Sequence, residues 1–495
     1  MRSSKSILLY TAGLALLFSS CRKEEWLNPQ PSTLITDATA FSTPERIQNQ
    51  INGLYASMKA SRYYGSWFLI VSDIRTGEFH CSNMNAATGS TMYSMLPQTT
   101  TSDVGDIWEA MYACINKVNV FLDNMDKGGD AVLDANTATS YRAEARLIRA
   151  ITYYNLLQLY ARPYWDGNGS KPGLPLRLTG NTASGNYDLA RSSVADTYKQ
   201  VLEDLDFAEQ NLPASYSSAF LNTVRAHKNT AIALKTRVYL SMRDYPKVIA
   251  EANKIVSSSA PFTASSGVAH KLEANIADVF KPPYTTTESI FSMPFTNGDA
   301  PGNALSRYYL PGTGDGGTAS SNGAGEYSLN KVEGIYASSV WASTDDRRGL
   351  TKIGTSTGKA WLTKFTQASP YTDYVPVIRY SEVLLNLAEA LARNTNSIDV
   401  RSLALFNAVY GRSNQGASLS AASFANVSQY LDRIIEERRI EFLGEGLRNG
   451  DIMRLGLTIP AKSQHAISAV APSAPEYILP IPAAELILNS LMENN

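Results

Sequence analysis

Ile434-Ile435-Glu436-Glu437-Arg438-Arg439-Ile440-Glu441-Phe442-Leu443-Gly444-Glu445-Gly446-Leu447-Arg448-Asn449-Gly450-Asp451-Ile452-Met453-Arg454-Leu455-Gly456 is the densest run of charge in this chain. At about 100° per residue, Leu431, Ile434, Ile435 and Phe442 fall on one apolar stripe, and Arg438 and Glu445 fall on that same stripe. Ions therefore stand where a core is expected. An ion persists in an interior only when it is paired and hydrogen-bonded, because stranding one partner of a buried pair costs about 3–5 kcal/mol. The stretch predicts a buried Arg–carboxylate knot in which Arg438, Glu441 and Glu445 hold a helical body together. The alternative is an acid pair for glycoside hydrolysis, since catalytic sites and structural ion networks perturb carboxylates alike.

The chain has 495 residues, more than a usual single domain, so either two domains or one large helical body with insertions is expected. Its 44 basic and 45 acidic side chains nearly cancel, which leaves no basic footprint for nucleic acid. The 27 Tyr, 15 Phe and 6 Trp suit flat, hydrogen-bonding ligands such as sugars, but they suit helical cores equally well.

The amino terminus says more. Arg2 and Lys5 precede the apolar run Ile7 to Phe18, with Ser19 and Ser20 just before Cys21. A run of about a dozen residues is a secretory signal, here 1–20, rather than a membrane span. Cys21 then reads as a lipidation site, and each buried methylene of a lipid adds about 0.8 kcal/mol of membrane affinity. The alternative is a plain secreted protein with a leftover Cys21. An oxidising compartment permits a bridge between Cys81 and Cys114, although Cys114 falls within a helical pattern. His80, His227, His270 and His465 are scattered, and no Cys/His pair has metal-site spacing, so neither metal nor cofactor is expected.

Along the chain, Thr43-Pro44-Glu45 opens a helix to Ala60, and further helices are predicted at 104–125, 138–160, 193–211, 227–242 and 245–256. The pair His227–Met242 and Tyr245–Val256 resembles a tetratricopeptide unit, whose copies stack to bury faces that one pair cannot. Helices resume from Tyr374. Residues 61–104 and 258–374 lose the helical period and carry Gly, Ser, Thr and aromatics, with short strands expected near 289–295 and 361–365. Long irregular segments on a rigid body are usual places for recognition. The first offers Tyr63, Tyr64 and Trp67 with Asp73, Asn83 and Asn85, and the second offers Tyr308, Tyr309 and Trp341 with Asn303 and Arg307. Aromatic faces pack on sugar C–H groups while amides, carboxylates and guanidiniums take the hydroxyls. No G-x-S-x-G elbow, P-loop, dinucleotide fingerprint or HExxH is present, which favours binding without chemistry.

Five separated segments also carry a resemblance. Glu437, Arg438, Arg439, Glu441, Glu445, Gly446, Arg448, Asp451, Arg454 and Gly456 match the closing run of the SusD/RagB family, with Asn449-Gly450 and Leu455 where aromatics are common. Trp108, Tyr112, Ile115 and Asn119, the helix Arg379-Tyr380-Ser381-Glu382-Val383-Leu384-Leu385, and Leu479-Pro480-Ile481-Pro482 with Glu485 resemble further family segments. Arg22-Lys23-Glu24-Glu25 after Cys21 is similar to the surface-export signal of Bacteroidetes lipoproteins. The resemblance implies a mainly α fold: a SusD-like helical body of tetratricopeptide-like pairs (41–257 and 375–456) with a loop-rich, ligand-facing region at 258–374 that carries a few short strands, all within a domain 21–495. It implies a cell-surface, lipid-anchored outer-membrane protein that is not an enzyme, captures an oligosaccharide and passes it to a SusC-like TonB-dependent transporter. A peptide-binding member of the same uptake family, an all-helical glycoside hydrolase and a scaffold that binds only protein are the alternatives.

Overall fold

The computed structural model describes residues 37–299, 302–317 and 323–495. The predicted signal segment, Cys21 and the charged tail Arg22 to Glu25 lie outside the described residues. Helix α1 (Pro44–Met58) begins where expected: the Thr43 hydroxyl accepts the Arg46 N–H at 3.3 Å, Pro44 occupies the first turn, and Ile47, Ile51, Leu54 and Met58 are buried. Helices α2 (Trp67–Ile74), α3 (Ser102–Asn124), α4 (Ala135–Tyr160), α5 (Val194–Asn211), α6 (Lys228–Met242) and α7 (Tyr245–Ala252) follow. After the irregular region come α8 (Tyr380–Thr395), α9 (Val400–Ser413), α10 (Val427–Glu441) and α11 (Arg448–Leu455). From α3 to α7 each helix packs on the next in sequence; α7 then packs on α8 and α8 on α9, the nearest-neighbour stacking expected of helical repeats.

Two small sheets tie the irregular regions to this body. Strand β1 (Phe79–Cys81) comes from the first region, and β3 (Tyr327–Leu329), β4 (Thr351–Ile353) and β5 (Ala360–Leu362) come from the second, in the order β1-β3-β5-β4. Antiparallel pairing sets Phe79 opposite Leu329 and Cys81 opposite Tyr327, so segments some 250 residues apart share one sheet. Strands β2 (Ser289–Met293) and β6 (Val375–Arg379) form the other sheet, fully buried along both strands.

Three sequence expectations are corrected here. The stretch 61–104 contains α2, whose eight residues are all buried; a helix covered on every side has no polar face and hence no amphipathic period. Residues 375–379 form β6 rather than the start of a helix, and α8 begins only at Tyr380. Glu445 is not on the helix that carries Arg438, because α10 stops at Glu441. Gly444 and Gly446 then take φ of +82° and +74°, in a turn where a β-carbon on Gly444 would lie 2.2 Å from Leu362 Cδ2. Both Cys81 and Cys114 are free and buried, the latter's Sγ lying 3.1 Å from Ser57 Oγ.

The predicted ion knot is present but divides in two. In the first cluster Arg379 reaches Glu445 with two nitrogens at 2.9 Å, reaches Glu441 at 3.0 Å and also pairs with Glu288. Lys364 caps Glu445 at 2.7 Å, while Arg412 and Arg347 meet the other oxygen of Glu441 at 2.6 and 3.1 Å. Burial pushes the Glu441 carboxyl up, and Arg412, Arg379 and Arg347 outweigh that and hold it well below the usual carboxylate range. Arg438 belongs to the second cluster: it donates to Asp451 at 2.9 Å and to Asn386 at 2.6 Å, and Arg454 bridges Asp451 to Glu389. Glu382 pairs with Arg237.

Beneath the 444–446 turn lies Asp73. Its carboxyl accepts the Tyr309 hydroxyl at 3.0 Å and the Gly446 N–H at 3.2 Å, and burial pushes its pKa up to about 8 against those two hydrogen bonds and Lys364.

Two outcomes follow from this packing. Arg438→Met strands one side of Asp451 while Arg454 remains, so urea unfolding is expected to show a loss of about 3 kcal/mol; an unchanged curve contradicts the buried pair. Asp73 has a raised folded pKa, so its stabilising contribution is complete below about pH 4 and is lost as pH rises through about 8. Between pH 5 and 7 the stability of the native chain relative to Asp73→Asn is expected to fall by about 1.4 kcal/mol per pH unit. A difference that does not move with pH contradicts a neutral Asp73.

Candidate ligand cleft

Pairing of β1 with β3 draws the two irregular regions together, and a cleft of about 570 Å³ opens between them. Trp67, at the start of α2, and Tyr308, on a short helix (Leu305–Tyr309), meet in its floor with ring centroids 5.3 Å apart, inclined at 55°. Tyr308 in turn stacks on Tyr327 of β3. The Arg62 guanidinium lies over the Trp67 ring at 5.3 Å and donates to Asp103 at 2.9 Å. Burial pushes the Asp103 carboxyl up, and the Arg62 charge pulls against it. Around the mouth stand exposed Asn85 and Arg307 and half-buried Glu326, whose carboxylate accepts the Thr88 hydroxyl at 3.1 Å.

Four of the residues predicted from sequence thus line one cleft, Trp67, Asn85, Arg307 and Tyr308, but Trp67 is 3% exposed beneath Arg62 and backs the half-buried Tyr308, which is the ring presented to the cleft. Three others position it. Asn303 is fully buried and donates to the carbonyls of Tyr371 and Asp373 at 3.2 and 2.6 Å, which fixes the start of the Leu305–Tyr309 helix. Tyr309 is fully buried, stacks on Phe79 at 4.8 Å and anchors that helix to Asp73. Adjacent tyrosines on one helical turn therefore face opposite ways.

The remaining candidates lie elsewhere. Tyr63 and Tyr64 are core residues; Asn155 donates to both hydroxyls at 2.9 and 3.1 Å. Trp341 is 2% exposed, beneath Arg348 at 4.3 Å. Asn83 is exposed but outside the cleft lining. Sequence reasoning missed Arg62, Thr88, Glu326 and Tyr371. Arg62 had a signal, because an arginine beside an aromatic run is suited to stacking on one of its rings; the other three had none beyond their place in polar loops. A separate void of about 40 Å³ touches Tyr64, Arg237, Glu382 and Asp451, room for water only. Among the described residues no group of three His, Cys, Asp or Glu side chains is placed to hold a metal ion, and no helix is long and apolar enough to cross a membrane.

The comparisons agree with this architecture. Residues 25–240 match a family described as SusD-like, starch-binding and associating with the outer membrane, and residues 241–495 match the SusD family. SusD-like protein P2 of Formosa agariphila is 26% identical over 514 aligned positions, covering 95% of each chain. The crystal structure of a SusD superfamily protein from Bacteroides fragilis is 30% identical, with a TM-score of 0.80 over 92% of this chain and 99% of the other. A laminarin-binding SusD-like protein shares the fold with a TM-score of 0.70 at 20% identity, over 92% of this chain and 99% of its own. Matched by family models along its length and by a 30% identical structure over nine-tenths of it, this chain belongs to the SusD/RagB family.

Proposed function

We propose that the chain is a cell-surface lipoprotein, anchored to the outer membrane through Cys21, that captures an oligosaccharide in the Trp67–Tyr308 cleft and delivers it to a SusC-like TonB-dependent transporter. The observation that carries this reading is the convergence of two irregular regions on an aromatic floor ringed by a guanidinium pair, an amide and a carboxylate. Such a surface offers a sugar ring an apolar face for its C–H groups and both donors and acceptors for its hydroxyls. The laminarin-binding relative is a precedent for glycan capture on this fold.

Binding without turnover is the simpler chemistry for this cleft. Among the described residues that line it, Glu326 is the one carboxylate, whereas glycoside hydrolysis generally uses two. The acidic cluster in 434–456 supplies no substitute, because Glu441 and Glu445 are buried and paired with Arg379.

Isothermal titration of the mature chain against laminarin, starch, xylan, mannan and a peptide library tests the ligand class, and co-purification with a barrel protein tests the transport role. One glycan is expected to bind, and Tyr308→Ala or Arg307→Ala is expected to weaken it about tenfold or more with an unchanged melting curve. Binding of peptides alone transfers the cleft to peptide capture. Absence of any ligand together with absence of a barrel partner overturns the proposal.

A further inference from the structure

A second and larger cleft, of about 930 Å³, opens next to the first and belongs to no site described so far. Arg62 is the wall between them. It lines the first cleft and lies over Trp67, and its other nitrogen holds Asp106, which lines the second, at 3.0 Å. Both side chains of that pair are more than a third exposed, so the bridge is weak and yields to a competing polar group.

The floor of the second cleft is one face of α3. Gly105 and Ala113 leave it low: an added β-carbon at Gly105 meets nothing within 4 Å. Trp108 and Tyr112 stand side by side with centroids 4.7 Å apart, and Tyr187, 39% exposed, closes the far wall. Around these rings are polar groups with spare capacity. Thr100, Ser102 and Glu109 are exposed and make no side-chain hydrogen bond to any described residue, and Arg177, which donates to the Tyr187 carbonyl at 2.8 Å with one nitrogen, reaches Glu485 with another only at 3.5 Å. A protein-docking surface is depleted of charge at its centre, whereas this one sets the half-buried Tyr112 and the exposed Tyr187, with Trp108 buried behind them and donating to Glu485 at 3.3 Å, among hydroxyls, carboxylates and a guanidinium, a mixture like that of the first cleft.

We infer that the second cleft is a saccharide subsite continuous with the first, and that the ligand is an extended chain of sugar units that passes Arg62 and occupies both. This rests on the glycan reading of the first cleft and adds the class of ligand: a long oligosaccharide held along its length rather than by one end. The two clefts then contribute to one affinity, and chain length is what the protein selects.

Titration of the full mature chain with short and long members of laminari-, malto-, xylo- and manno-oligosaccharide ladders tests this. For the ladder that binds, affinity is expected to rise with length by about tenfold or more between the shortest and longest members. The double variant Gly105→Tyr, Ala113→Tyr fills the second cleft from its open floor. Replacing a helical glycine favours the helix, so the fold is expected to persist, as a thermal melt of the variant verifies. In this variant long chains are expected to fall to the affinity of short ones while short chains bind as before. Tyr308→Ala is expected to weaken short and long chains together. A length dependence that survives in the filled variant overturns the second subsite and leaves the first intact. Failure of every ladder to bind the unmodified chain overturns the glycan reading and this inference with it.

Discussion

The Arg379 guanidinium is the point on which the described structure turns. It sits at the end of β6, one residue before α8, and it binds carboxylates from three other places in the chain: Glu288 beside β2, Glu441 at the end of α10 and Glu445 in the glycine turn beyond. An arginine suits this role because its planar fork satisfies a carboxylate with two parallel hydrogen bonds and stays charged when buried. Lys364, Arg412 and Arg347 complete the surroundings of the same carboxylates, and no polar side-chain atom of Arg379, Glu441 or Glu445 is left without a partner. A buried pair is poor evidence of net stability in itself, since well-packed apolar residues can do as well. What it does provide is registration: each acid is committed to one position, and so is the element that carries it.

That registration reaches the ligand cleft through a short chain of contacts. Fixing Glu445 fixes the neighbouring Gly446, whose N–H meets Asp73 at the end of α2; Asp73 holds the Tyr309 hydroxyl; and Tyr309 sets the turn that presents Tyr308 to the cleft. Trp67 stands at the other end of α2 and shares its rigidity. The helical body therefore acts on recognition by orienting two aromatic rings, while exposed Arg307 and the amide nitrogen of exposed Asn85, whose oxygen accepts the Ala87 N–H at 2.9 Å, stand at the mouth.

How much of this was legible follows from where the signals lie. Arg438 on an apolar stripe announced a buried pair, and it is buried against Asp451; Glu441 and Glu445 are also buried and paired, with Arg379, although Glu445 lies beyond the helix and not on its stripe. Their common partner could not be named, because Arg379 lies 62 residues before Glu441 and only the tertiary fold joins them. Helix α1 was readable from its cap and its period, whereas α2 was hidden because all of its faces are buried. In the loops, residue type pointed to the right neighbourhood without separating inside from outside. Tyr308 and Tyr309 have the same side chain, and a single residue of helical rotation sends one to the cleft and the other to the core. Asn303 looked like a ligand group and is a backbone clamp, a distinction that depends on the carbonyls of Tyr371 and Asp373 far along the chain.

The claim that Arg379 and Glu445 act as one unit is tested most directly by a double-mutant cycle in urea. Unfolding is followed for the native chain, Arg379→Met, Glu445→Gln and the double variant. Each single substitution is expected to cost about 3–5 kcal/mol by leaving its partner uncompensated, and the double variant is expected to lose about 2 kcal/mol less than the two losses combined. Losses that add to within about 0.5 kcal/mol would mean that the two residues are energetically independent, and the central role given to the Arg379 cluster would then be wrong.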